Sequence, residues 1–162
     1  MSKTKVFLDT NIFMEYIEER EHFSAVNDIF KAIADKKIEA IISTGGLYTM
    51  TYLITLGFKR NGIHKPEQTT RLRQALNQIL KLAKVCDTSH TYIQDAINDS
   101  DFDDIEDSYQ YYCAKENNCD FIITINIKDF KGKDSTKFPK VIMPEDFVSK
   151  SRNTSVTSVT PL

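Results

Sequence analysis

The chain has 162 residues, of which 41% are hydrophobic and 27% are charged, and these fractions are those of a globular domain. No stretch approaches the roughly 20 apolar residues that cross a bilayer, and the first residues lack the long apolar region of a secretory signal. We therefore expect a cytoplasmic protein without a membrane segment. The formal net charge of −2 argues against a basic coat that grips long duplexes. It leaves room for a nucleic-acid enzyme, because a metal ion can supply positive charge at the site.

The predicted elements alternate along the chain between short apolar strands and helices. Strands are predicted at residues 6–8, 40–42, 84–86, 121–124 and 141–142. Between them, apolar residues recur at spacings of three and four, the pattern of helices with one buried side. Short apolar strands that alternate with helices are typical of βαβ units, so the pattern predicts an α/β protein with a mainly parallel sheet and helices on both sides.

The chain shows no internal repeat and no linker, so residues 1–148 are predicted to form a single domain. Residues 149–162 are rich in Ser, Thr and Val without a helical period, and they are predicted to form a flexible C-terminal tail. Alternatively, Val156 and Val159 could add an edge strand to a partner.

The first predicted strand ends at an acid, Asp9, in the stretch V-F-L-D-T-N-I. An acid at the carboxyl end of a parallel strand lies where open α/β sheets bind ligands. The same residue could instead only cap the helix that follows it. Asp9 alone therefore leaves both interpretations open.

A second group of acids lies in the segment N-D-S-D-F-D-D-I-E-D, residues 98–107. We interpret its first acids as a solvated loop that ends in a helix cap. Asp104 and Asp107 are three residues apart and share one face of the predicted helix, whereas Glu106 points elsewhere. Asp107 lies close to the apolar side of that helix, where a carboxylate is costly unless a positive charge meets it. Asp107 is therefore the preferred ligand of the group.

A third acid follows the fourth predicted strand, in I-I-T-I-N-I-K-D-F. Thr124 ends the strand, Asn126 turns the chain and Asp129 lies on the turn beyond. Because the ends of the first and fourth strands can be neighbours in a parallel sheet, Asp9, Asp107 and Asp129 could share one cleft. Carboxylates in one cleft repel each other unless a cation lies between them. Such a cluster holding Mg²⁺ or Mn²⁺ with waters is typical of phosphodiester cleavage.

These segments together resemble the PIN-domain family of nucleases, in particular the VapC-type toxins of bacterial toxin–antitoxin pairs. The matching pieces are F-L-D-T-N-I, D-I-E-D-S-Y-Q-Y-Y-C-A, C-D-F-I-I-T-I-N-I-K-D-F and V-I-M-P-E-D-F. Their order and spacing make the resemblance specific, and it extends from about Lys5 to Phe147.

The resemblance implies a three-layer α/β/α sandwich and an Mg²⁺- or Mn²⁺-dependent endoribonuclease that cleaves single-stranded or structured RNA. It implies that the catalytic and metal-binding acids are Asp9, Asp107 and Asp129. Further candidate metal ligands are Asp104, Glu106 and Asn126, and the predicted supporting residues are Thr10, Asn11, Thr49 and Thr124. The implied partners are an RNA substrate, an antitoxin protein and a second copy of the chain in a homodimer.

One position departs from the family's pattern. PIN nucleases usually carry a Glu in the helix after the second strand, about six residues beyond a Ser. Counted from Ser43, this position is Thr49, and no acid lies between Ser43 and Arg60. A threonine hydroxyl supplies no negative charge, so metal binding should weaken unless Glu106 or Asp104 compensates. The alternative function is therefore a catalytically weak or inactive PIN-fold module that binds RNA or protein.

Basic residues are the predicted contacts to the RNA backbone. Lys128 and Lys131 are preferred because they flank Asp129. Other basic pairs lie at residues 36–37, 59–60, and 71 with 73.

A phosphatase of the haloacid-dehalogenase kind is a third interpretation, since that chemistry also begins from an Asp at the end of a strand. It requires a second Asp two positions later. This chain has Asn11 there, so the phosphatase interpretation is disfavoured.

Overall fold

The computed structural model describes residues 2–130 and 138–156 of the chain, and for residues 154–156 only the backbone. Within these residues the five strands are β1 (Thr4–Leu8), β2 (Ile38–Ser43), β3 (Lys84–Cys86), β4 (Phe121–Ile123) and β5 (Lys140–Ile142). The seven α-helices of the described residues are α1 (Thr10–Ile17), α2 (Phe23–Ala34), α3 (Thr44–Arg60), α4 (Glu67–Leu82), α5 (His90–Asn98), α6 (Ile105–Glu116) and α7 (Pro144–Val156). All pairings in the sheet are parallel, which confirms the predicted α/β class.

The two faces of the sheet are covered by separate hydrophobic clusters. Successive residues of β1 point to opposite faces, so Val6 and Leu8 pack in one cluster while Phe7 packs in the other. The first cluster contains buried residues of α1, α2, α3, α4 and α7. The second contains buried residues of α6. The sheet therefore lies between two helical layers, and the predicted α/β/α sandwich is confirmed.

The strand order β3-β2-β1-β4-β5 places β1 at the centre of the sheet. The chain first moves outward from β1 through β2 to β3, and then crosses to the other side of β1 to form β4 and β5. Ligands of open α/β sheets bind in the crevice where the strand order reverses in this way. The pairing of Leu8 with Ile123 brings the carboxyl ends of β1 and β4 together at that crevice, as the sequence predicted.

The start of α3 is fixed close to the end of β1. The Ser43 hydroxyl caps α3 by accepting a hydrogen bond of 2.9 Å from the Gly46 amide. A Cβ atom on Gly46 would lie 3.1 Å from Ser43 Oγ and 3.5 Å from Thr10 Oγ1. The absence of a side chain at position 46 therefore lets α3 pack directly against the residue that follows Asp9.

The C-terminal helix extends into the segment that the sequence predicted as a tail. α7 continues to Val156, and the Arg152 guanidinium forms an ion pair of 3.1 Å with Asp28 on α2. Val156 is thus the last residue of a helix and not part of an edge strand. Residues 157–162, including Val159, lie outside the described residues. Among the described helices, none is both long enough and apolar enough to span a bilayer.

Candidate functional site

A cavity of about 390 Å³ opens at the carboxyl ends of β1 and β4. Six acids line it, namely Glu18 and the five predicted acids Asp9, Asp104, Glu106, Asp107 and Asp129. The predicted supporting residues Thr10, Asn11 and Thr49 and the candidate ligand Asn126 also line it. The structure therefore brings together the three predicted catalytic acids and the two acids proposed to compensate for Thr49.

Asp9 is a buried carboxylate that is held by side chains. It is only 4% exposed, and its Oδ2 accepts hydrogen bonds from Thr124 Oγ1 at 2.7 Å and Asn11 Nδ2 at 3.0 Å. It occupies the N-cap position of α1, but its side chain accepts no capping hydrogen bond. Burial raises the pKa of Asp9, and the hydrogen bonds from Thr124 and Gln110 oppose that shift. The interpretation of Asp9 as only a helix cap does not account for this arrangement.

Asp107 lies in the first turn of α6 and is half-buried. Its pKa is raised to about 7, first by the loss of solvent and then by the negative charges of Asp9 and Asp104. Asp129 and Glu106 add smaller contributions to the same shift. The Asp107 carboxylate therefore experiences both burial and the negative charges of the other four predicted acids.

The position of Asp129 depends on a short chain of hydrogen bonds that begins at Thr124. Asp129 lies on a 3-10 turn, Ile127–Phe130, and its amide donates to the Asn126 carbonyl at 3.0 Å. The Asn126 amide in turn donates to Thr124 Oγ1 at 3.0 Å. The buried Thr124 hydroxyl thus contacts both Asp9 and the turn that carries Asp129, although it does not itself line the cavity.

The other two predicted acids of the cavity, Asp104 and Glu106, have different hydrogen-bond partners. Asp104 Oδ1 caps α6 by accepting a hydrogen bond of 2.8 Å from the Glu106 amide. Glu106 Oε1 accepts a hydrogen bond of 3.1 Å from Thr49 Oγ1, which belongs to α3. Asp104 therefore organises its own helix, while Glu106 reaches the opposite wall.

Three further polar residues line the cavity, although the sequence did not predict them as part of the site. Gln110 is buried one turn beyond Asp107, and its side chain donates to the Asp9 carboxylate. Arg20 lies at the edge of the cavity, where it forms ion pairs with Glu18 and Glu15. The third of these residues, Glu18, lines the cavity beside Arg20.

The basic residues predicted to contact RNA are distributed unevenly around the cavity. Arg60, the last residue of α3 and a member of the predicted pair 59–60, lines the cavity. Lys128 is exposed on the 3-10 turn and does not line it. Lys131 lies outside the described residues.

The residues of the cavity fit a hydrated divalent cation. Within residues 2–130 and 138–156, none of the five predicted acids of the cavity forms an ion pair, whereas Glu18 pairs with Arg20. Thr10 Oγ1 and Asn11 Oδ1 are buried without a hydrogen-bond partner, and Thr10 is only 8% exposed. Such a set of unpaired oxygen atoms is the kind that Mg²⁺ and Mn²⁺ prefer.

The same residues do not form a complete protein cage for a metal. No group of three or more His, Cys, Asp or Glu side chains in the described part of the chain is placed so that it could hold an ion. Mg²⁺ usually keeps several waters and is bound through only one or two carboxylates. The cavity therefore suits an ion that keeps much of its water.

Comparisons with known proteins show which family this sequence resembles. A family model described as PIN domain matches residues 5–128. The chain is similar to Ribonuclease VapC1 of Aquifex aeolicus (strain VF5), with 24% identity over 156 residues that cover 93% of this chain and 97% of the relative.

Two solved structures are similar to the chain in fold. The first is VapBC2 from Rickettsia felis bound to a DNA fragment from their promoter, with a TM-score of 0.59, 18% identity, and coverage of 86% of this chain and 97% of that chain. The second is Mycobacterium tuberculosis VapC20, described as a sarcin-ricin loop cleaving toxin, with a TM-score of 0.50, 14% identity, and coverage of 72% and 86%. At these identities the likeness shows a shared fold.

Proposed function

The chain belongs to the PIN-domain family, and on that premise we propose that it is a metal-dependent endoribonuclease, the toxin of a toxin–antitoxin pair. The observation that carries the proposal is the convergence of Asp9, Asp107 and Asp129 on one cavity. In the described residues these acids have no cationic partner, so a bound cation is the simplest way to offset their charge. The similarity to a ribonuclease over nearly the full length of both chains supports the same reaction.

Asp9 and Asp107 have different roles in binding the cation. Asp9 is held by Thr124 and Asn11, so it presents a fixed oxygen at the end of β1. Asp107, whose pKa is raised to about 7, would hold the cation as an ionised carboxylate, because positive charge in the cavity would favour the ionised form. When bound, Mg²⁺ or Mn²⁺ supplies Lewis acidity, which activates water and offsets the negative charge that develops at the phosphorus. The protein then needs no nucleophilic side chain of its own.

The test is RNA cleavage by the purified, partner-free protein. We expect cleavage of a structured RNA with Mn²⁺, loss of cleavage in EDTA, and loss of cleavage in Asp9→Asn. The matched control is Asp103→Asn, which removes an exposed acid that does not line the cavity and should leave cleavage unchanged. Cleavage that survives both EDTA and Asp9→Asn would contradict the proposal.

A second candidate function is an RNA- or protein-binding PIN module with little catalysis. The observation that favours it is Thr49, which gives the α3 wall of the cavity a hydroxyl but no carboxylate. Binding of the same RNA by folded protein, with no cleavage at any Mn²⁺ or Mg²⁺ concentration, would support this function in place of the first.

The partners follow from the same proposal. We propose an antitoxin as the protein partner, supported by the similarity to a chain of the VapBC2 complex. We also propose that the protein is cytoplasmic and forms a homodimer. The homodimer is supported by two exposed aromatic rings one turn apart on α3, Tyr48 and Tyr52, which are 70% and 66% exposed. Sedimentation of the wild type and of Tyr48→Ser/Tyr52→Ser measures whether the dimer forms and whether it uses this surface.

A further inference from the structure

The two walls of the cavity carry very different charges. The residues of α3 that line it are Thr49, Leu53, Leu56, Gly57 and Arg60, and none of them is an acid. All three acids on the opposite wall that come from α6 and its cap lie within four residues, from Asp104 to Asp107. A cation between the walls would therefore find no carboxylate that α3 itself provides, unless one of the other acids extends toward α3.

Glu106 is the acid that extends toward α3. Thr49 Oγ1 donates to Glu106 Oε1 at 3.1 Å, and this bond joins two residues that are 57 positions apart in the chain. An exposed glutamate normally samples many rotamers, and ordering it costs conformational entropy. The hydrogen bond offsets part of that cost and holds the carboxylate against the α3 wall.

Because the hydrogen-bond partner of Glu106 is a threonine hydroxyl, the negative charge of Glu106 remains available to a cation. A threonine hydroxyl is neutral, so it orients the carboxylate without cancelling its charge. The opposite case is present at the edge of the same cavity, where Arg20 forms an ion pair with Glu18 and neutralises it. Within the described part of the chain, Glu106 is therefore oriented and has no cationic partner.

Asp104 cannot take this role in the same way. Its Oδ1 accepts the Glu106 amide and caps α6, so moving the Asp104 side chain toward a ligand would uncap the helix. Among the residues that the structure describes, Thr10 Oγ1 is buried in the same cavity without a hydrogen-bond partner, which independently indicates that an additional polar or charged group binds here.

From these observations we infer that Glu106 belongs to the cation site and that Thr49 is its positioning residue. Glu106 extends from α6 across the cavity, and Thr49 holds its carboxylate next to α3. The pair thereby supplies the negative charge that α3 lacks. The inference rests on the proposed function, because it assigns a further carboxylate to the hydrated cation of that site.

The experiment measures Mn²⁺ binding to the metal-free protein by calorimetry and by the loss of the free-ion EPR signal. We expect Glu106→Gln to weaken Mn²⁺ binding by about 10-fold to 100-fold, the range known for groups that support a metal site. Thr49→Val keeps the shape of the side chain and should weaken binding less. Because both variants break one interaction, the double variant should bind no more weakly than Glu106→Gln alone. Asp103→Asn is the control for the loss of one negative charge near α6 and should bind as the wild type does.

A relocation variant provides the sharper test. Thr49→Glu in the Glu106→Gln background places the carboxylate on α3 and should recover Mn²⁺ affinity to within a few-fold of the wild type. Circular dichroism of each metal-free variant checks that the fold is retained.

The outcomes separate this inference from the proposed function. If the wild type binds no Mn²⁺, the metal-dependent function fails. If the wild type binds Mn²⁺ and Glu106→Gln binds it equally well, only the role of Glu106 is overturned. If Thr49→Val weakens binding further in the Glu106→Gln background, Thr49 acts independently of Glu106 and the positioning role is overturned.

Discussion

Two walls of the cavity differ in charge. The acidic wall is formed by Asp104, Glu106 and Asp107 from α6 and its cap, and the opposite wall is formed by α3. The acidic wall concentrates like charges, and burial together with the neighbouring negative charges raises the pKa of Asp107 to about 7. The α3 wall is neutral or apolar along most of its length, with one cation, Arg60, at its end. Repulsion between carboxylates is therefore concentrated at the acidic wall, which the proposed chemistry needs. The α3 wall shapes the cavity and, through Thr49, orients Glu106.

The largest expected effect follows from a change on the acidic wall. Asp107→Asn keeps the size of the side chain but removes its charge. We expect cleavage to fall by about 10²- to 10³-fold, as happens when a group that stabilises transition-state charge is removed. Thermal unfolding of the same metal-free variant at pH 7.5 should show a higher Tm than the wild type, because the repulsion is relieved. A lower Tm together with lost activity would instead indicate a structural role for Asp107.

The dependence of stability on pH is expected to be an intermediate effect on the same wall. Asp107 holds its proton more tightly in the folded protein, where its pKa is about 7, than in the unfolded chain, where its pKa is 3.8. As the pH rises through this window, the unfolded chain loses the proton first, so the free energy of unfolding of the metal-free protein should fall. Urea denaturation from pH 4 to pH 7.5 measures this slope.

Two comparisons sharpen the pH experiment. In Asp107→Asn the slope should be much smaller, and the part that remains comes from groups such as Asp9 and His22, whose pKa values are also raised. Saturating Mn²⁺ should reduce the slope in the wild type, because the cation stabilises the ionised carboxylates. An equal slope in the wild type and in Asp107→Asn would show that other groups set the pH dependence.

The smallest expected effect comes from the α3 wall. Arg60→Ala removes the cation at the end of this wall, and RNA binding should weaken by a few-fold with kcat nearly unchanged. The slope of log Kd against log salt should decrease by about one, as expected when one phosphate contact is lost. The neighbouring Lys59→Ala is a matched control, because Lys59 is exposed but does not line the cavity. Equal losses in both variants would mean that only the overall charge of this region matters.

Much of the fold could be predicted from the sequence because local patterns determine it. Apolar runs between helical segments located all five strands of the described residues to within about two residues. The convergence of Asp9 and Asp129 could also be predicted, since both follow parallel strands that can be neighbours, and β1 indeed pairs with β4.

The features that could not be predicted depend on packing between distant segments. Gln110 is an ordinary polar residue in a helical pattern, and only the contact of α6 with the end of β1 shows that it donates to Asp9. The bond between Thr49 and Glu106 joins two different helices. The length of α7 was also missed, because its last turns carry Ser and Thr and have no apolar stripe, although Arg152 pairs with Asp28 there.

The central position of β1 has a consequence for the synthesis of this protein. The hydrogen bond from Thr124 to Asp9 joins residues 115 positions apart, and the Asp9 amide donates to Ile123 at the end of β4. A ribosome must therefore translate about four fifths of the message before Asp9 can meet its partners. Under the proposed function, the nascent chain therefore cannot assemble the cavity that would cleave RNA until most of its own message has been translated.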